Sequence, residues 1–71
     1  MRLKKEVIER LRCRDNRYIR LRLAEELGVS PSSVPRWIYA NENNGKLTTV
    51  KALQIISEGL NVSVDSILID N

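Results

Sequence analysis

Nine lysines and arginines crowd the first 22 residues of this 71-residue chain: Arg2, Lys4, Lys5, Arg10, Arg12, Arg14, Arg17, Arg20 and Arg22. Only Glu6, Glu9 and Asp15 oppose them there. Residues 23–71 instead hold three cations, Arg36, Lys46 and Lys51, against six acids. A net charge of +3 and a pI of about 9.4 therefore conceal a strongly polarised molecule. Guanidinium groups are permanent cations whose forked donors match phosphate oxygens, so the pattern points to a polyanion bound on one side.

Catalysis has little to work with. The chain has no histidine, no phosphate-cradling glycine loop and no carboxylate pair flanking a core large enough to perturb it. Glu25 and Glu26 are adjacent on a helix and face solvent. No enzymatic activity, metal site or cofactor is expected. Cys13 is the single cysteine, which excludes an internal disulfide. Its place at the close of the first helix suggests a small, buried or half-buried side chain.

These groups must be positioned by a small fold. Hydrophobic residues make up 42% of the chain and charged ones 30%, which fits a folded domain and not a disordered one. Residues 1–71 form one domain near the lower size limit for an independent core. Phe is absent, so that core is largely aliphatic. No apolar run approaches the ~20 residues of a membrane span, and the first residues lack the apolar block of a signal peptide. A cytoplasmic, nucleoid-associated protein is expected.

The apolar periodicity predicts five helices and no strand. Leu3, Val7, Ile8 and Leu11 line a helix over about 2–13, after which Asp15 or Asn16 is placed to cap the next. Ile19, Leu23, Ala24 and Leu27 stripe a second helix, which Gly28 ends in a left-handed conformation that glycine adopts readily. Ser30 caps a third helix with Pro31 at its first position; Val34, Trp37 and Ile38 form its apolar face. Thr48 or Thr49 caps a fourth helix carrying Val50, Leu53, Ile55 and Ile56 on its buried side, and Asn61 ends it. Ser63 caps a short fifth helix over 64–68. Leu23, Leu27, Val34, Trp37, Leu53 and Ile56 are expected at the centre of the core.

Residues 23–38 carry the functional signal. An amphipathic helix, a glycine turn and a second helix opening on small polar residues make the plan of a helix-turn-helix, whose second helix lies in the DNA major groove. The run Leu23-Ala24-Glu25-Glu26-Leu27-Gly28-Val29-Ser30, with Val34 and Arg36-Trp37 after it, resembles the lambda-repressor-like family of small helix-turn-helix proteins, phage Cro and repressor headpieces among them. Asn44-Gly45-Lys46 resembles that family's next loop. Leu53-Gln54-Ile55-Ile56-Ser57-Glu58-Gly59-Leu60-Asn61-Val62-Ser63 resembles its fourth helix and the turn into the fifth. The likeness covers about residues 5–69.

The resemblance implies a compact, all-α, five-helix DNA-binding domain with the helix-turn-helix at helices 2–3. It places Pro31, Ser32 and Arg36 at base edges. Arg36 can pair with guanine O6 and N7 or hold a phosphate instead, and Ser32 can read a base or cap the helix. It places Arg20, Ser33, Asn44 and Lys46 at backbone phosphates, with Arg17 and Arg14 adding charge from the preceding turn. The implied function is sequence-specific binding of double-stranded DNA by a transcription regulator that acts by occluding an operator, with no small-molecule effector. One recognition helix reads few base pairs, so a weak homodimer on a palindromic operator is expected. Val64, Ile67, Leu68 and Ile69 are its candidate interface, being more apolar than so short a segment requires. The alternatives are a protein-interaction module of antirepressor or antitoxin type, and an architectural DNA-binding factor in excision or transposition.

Two features depart from the family. Pro35 in the interior of a helix begun at Pro31 would remove a hydrogen bond and crowd a carbonyl, at ~3 kcal/mol or more. A helix capped at Ser32 avoids this, because Pro35 is then its third residue, whose N–H has no helical acceptor anyway. The link from 39 to 44 is also longer than the family's.

Overall fold

Leu3 begins the chain as part of a strand and not of a helix. In the computed structural model, which describes residues 1–69, strand β1 (Arg2–Leu3) pairs antiparallel with β2 (Leu68–Ile69). Arg2 lies opposite Ile69 and Leu3 opposite Leu68, and the Lys4 amide donates to the Ile67 carbonyl at 3.0 Å. Between the strands run four α-helices: α1 (Lys5–Arg12), α2 (Arg17–Leu27), α3 (Ser33–Ala40) and α4 (Val50–Leu60). Single 3-10 turns at Arg14–Asn16, Lys46–Thr48 and Val64–Ser66 complete the described chain.

The fold is mostly helical, but two expectations are corrected. The anticipated fifth helix is only the 3-10 turn Val64–Ser66, and the chain then extends into β2. Pairing with β1 accounts for this, since the Ile67 carbonyl takes its partner across the sheet, from the Lys4 amide, instead of continuing a helix. The first helix likewise starts after Lys4 because Arg2 and Leu3 are engaged in the same pairing.

Local signals end the helices as anticipated. Gly28 ends α2 at φ 69°, and the Val29 amide reaches back to the Ala24 carbonyl at 3.0 Å. Asn61 ends α4 at φ 58°, with Val62 donating to Ser57 at 3.0 Å. Both arrangements satisfy carbonyls that the helix itself leaves free. Thr49 caps α4 through its hydroxyl, which accepts from the Ala52 amide at 3.4 Å. None of Asp15, Asn16 and Ser63 makes a side-chain cap, and α3 is flanked by Ser32 instead of the expected Ser30, again with no side-chain cap. Asn16 turns back to donate to the Arg10 carbonyl at 2.7 Å, closing the end of α1.

Helix α3 takes the geometry that accommodates its proline. Ser32 is the flanking residue and Ser33 the first helical one, which makes Pro35 the third. Residues 30–33 form a turn closed by the Ser33 amide on the Ser30 carbonyl at 3.0 Å. Pro35→Ser is therefore expected to change stability by less than about 1 kcal/mol, against the ~3 kcal/mol of an interior proline. Urea denaturation measures this directly; a gain of several kcal/mol would mean that α3 runs back to Pro31 in solution.

The core gathers Leu3, Leu11, Ile19, Leu23, Val34, Ile38, Ile56 and Ile67, all fully buried. Leu53 joins them, whereas Leu27 and Trp37 pack against the rim and are only half-buried, a correction to their expected central place. Gly59 lets α4 lie directly on α2: a Cβ there would sit 2.6 Å from Cγ1 of buried Ile19. Among the described residues, no helix is long and apolar enough to cross a membrane.

Candidate nucleic-acid interface

Successive residues of an α-helix turn by ~100°. Val34 and Ile38 of α3 point into the core, so Arg36, between them in sequence, projects directly outward. Pro35 and Tyr39 fall on one flank of that ridge, Trp37 and Ala40 on the other. Arg36 is exposed and forms no ion pair or hydrogen bond among the described residues.

Each flank carries positive charge. On the Trp37 side, Lys46 places its ammonium 5.1 Å from the centre of the indole ring. A pocket of about 250 Å³ opens there, lined by Trp37, Asn41, Lys46 and their neighbours, the acidic Glu42 among them. On the Tyr39 side lies a wider, open cleft of about 490 Å³ lined by Arg12, Arg20, Pro35, Arg36, Ile38 and Tyr39. Three guanidinium-bearing residues line it and no acid does. The Arg12 guanidinium sits 5.6 Å from the centre of the Tyr39 ring, a cation–π distance. Nη1 of Arg20 donates to the carbonyls of Leu11 and, at 2.8 Å, of Cys13. No family model, curated protein or solved structure matches the chain.

Pro31 and Ser32 are exposed in the turn that leads into α3, and Ser33 is its first residue. The Ser30 hydroxyl lies 2.9 Å from that of Ser32 and 3.4 Å from that of Ser33, so hydroxyls expected at DNA partly satisfy each other. Arg14 and Arg17 are exposed, with no side-chain hydrogen bond or ion pair among the described residues; Arg17 stands one turn before Arg20 on α2. Arg20 has a structural role beside its expected one. It is half-buried, and part of its guanidinium closes the end of α1, which makes it a structural clamp as well as a cation at the cleft.

Asn44 adopts φ 56°, and its amide donates to the Met1 carbonyl at 2.7 Å. The long link after α3 thus has a use within the fold. Asn41 at the end of α3 accepts from the Leu3 amide at 3.2 Å and donates to the Leu3 carbonyl at 2.9 Å, holding β1 on the side away from β2. Asn43 Oδ1 accepts from the Met1 nitrogen.

Ile67 corrects the expected dimer surface. It is 1% exposed and belongs to the core, while Val64, Leu68 and Ile69 are half-buried, two of them within β2. The surplus of apolar residues is explained by this chain's own packing. Cys13, expected to be buried or half-buried, is exposed.

Two residues outside the expected site, Arg12 and Tyr39, also line the cleft. Tyr39 carried a readable sign: with Pro35 and Arg36 it shares the outward side of α3, and it is 77% exposed. Arg12 carried none, since only the packing of α1 on α3 brings it there.

Proposed function

We propose that this chain is a sequence-specific, double-stranded-DNA-binding transcription regulator in which α2 and α3 form a helix-turn-helix of the lambda-repressor-like type. The observation that supports it best is the outward ridge of α3: an unpaired Arg36 flanked by Lys46 on one side and by Arg12 and Arg20 on the other. Base edges are read by a helix that enters the major groove, and its register is held by cations on the two sugar–phosphate walls. Arg36, Ser32 and Pro31 face the bases in this reading. Ser33, Asn44 and Lys46 hold one backbone, and Arg14, Arg17 and Arg20 hold the other. The protein acts as a dimer on a palindromic operator and regulates by occlusion in the cytoplasm. Its dimer contact excludes Ile67.

A selection of bound duplexes from a random pool tests the reading and yields the half-site spacing. Arg36→Ala is expected to weaken the best site by about 1–3 kcal/mol and to relax preference at one base pair per half-site. Equal weakening on all sequences would move Arg36 to a phosphate. Affinity is expected to fall steeply with salt, by a slope of about −0.9 per phosphate contact in log K against log salt. A protein-interaction module would bind no duplex at all. An architectural factor would show the steep slope with no sequence preference.

A further inference from the structure

We infer that the cleft between α3 and the junction of α1 with α2 seats a single backbone phosphate, with Arg12 and the remaining donors of Arg20 as its ligands and Tyr39 as its wall. The inference rests on the DNA-binding reading and adds to it a residue, Arg12, that lies outside the helix-turn-helix. Three observations support it. Arg12, Arg20 and Arg36 line one open cleft that holds no acidic side chain. Guanidinium groups gathered without a counter-charge repel one another, and an anion between them removes that repulsion.

Two of the three are also held in place before any ligand arrives. Arg20 is pinned by the carbonyls of Leu11 and Cys13, and Arg12 rests against the Tyr39 ring. A ligand that meets oriented donors does not have to bear the cost of ordering them. Finally, the cleft adjoins the outward ridge, since Arg36 belongs to both. A phosphate seated there lies directly beside the bases that Arg36 would read, which is where the wall of the groove stands. The forked donors of arginine suit an oxyanion of this shape, and the openness of the cleft suits one phosphodiester of a continuous strand.

The test combines Arg12→Gln, which removes the charge and keeps a polar side chain, with phosphate-ethylation interference on a selected duplex. Wild-type protein is expected to be blocked by ethylation at one phosphate per half-site that Arg12→Gln no longer senses. The same variant is expected to bind about ten- to a hundredfold more weakly and to lose about one unit of salt slope. Lys46→Ala serves as the control from the opposite flank, because its loss should silence a different phosphate. If Arg12→Gln keeps the wild-type interference pattern and slope while Lys46→Ala alters its own, the cleft is not a phosphate seat and the DNA reading stands. If the wild-type protein binds no duplex, both fall together.

Discussion

Leu23→Ala is expected to remove about 2–5 kcal/mol of stability, the range for truncating a buried leucine. Leu23 is fully buried on α2 among the residues that make the core. The loss combines the transfer energy of the missing methyl groups with the cavity they leave. A domain of this size has only ~0.05–0.15 kcal/mol of stability per residue, so the substitution removes a large part of the whole. Each kcal/mol shifts the melting temperature of so small a domain by ~4–8 °C, which makes thermal unfolding followed by circular dichroism a sensitive measure. Leu21, one turn before Ala24 on the same helix, is 43% exposed; Leu21→Ala should stay within about 0.5 kcal/mol of the parent. Similar losses at the two positions would mean that α2 does not present the face described above.

Asn41→Ala is the second large loss, expected at about 2–4 kcal/mol from two sources. One is the paired hydrogen bonds to the Leu3 amide and carbonyl, which are left without partners at the rim of the core. The other is the left-handed backbone at φ 44°, which asparagine tolerates and alanine does not. Asn41→Gly separates them, because glycine keeps the backbone and deletes only the amide. It should be less damaging than alanine by roughly 1 kcal/mol. In both variants the Leu3 amide should lose much of its protection from hydrogen exchange. Protection equal to the parent's would show that β2 alone holds β1.

Under the DNA-binding function proposed above, this clamp bears on binding as well as on stability. Asn41 shares its loop with Asn44 and Lys46, and the same loop holds Met1, just before β1, through the Asn44 amide and the Met1 carbonyl. The cation on the Trp37 flank of α3 is thereby tied to the strand that closes the fold. Loosening β1 is expected to weaken duplex binding through Lys46 without touching Arg36.

What the sequence determined by itself was local. The apolar stripes of α1 to α4, the left-handed stops at Gly28 and Asn61, the Thr49 cap and the accommodation of Pro35 all depend on residues within about one turn of each other; Val50, expected on the buried side of α4, is the exception at 74% exposed, because it opens the helix beyond the reach of the core. Backbone donors, acceptors and steric limits act over that distance whatever the rest of the chain does. The outward direction of Arg36 followed from the same periodicity.

The tertiary structure decided everything that joins distant residues. Leu68 and Ile69 have no local reason to be extended; Arg2 and Leu3 make them so, and that pairing replaced the fifth helix. Ile67 read as surplus surface until the core absorbed it, and Trp37 read as central until the rim of the domain received it. The cleft proposed as a phosphate seat is the clearest case. Arg12, Arg20 and Tyr39 belong to three helices, and their charges and ring meet only because α1 and α2 pack against α3. Charge counting along the chain could show a basic half but not where it converges, because the energy of such a cluster depends on distances through space.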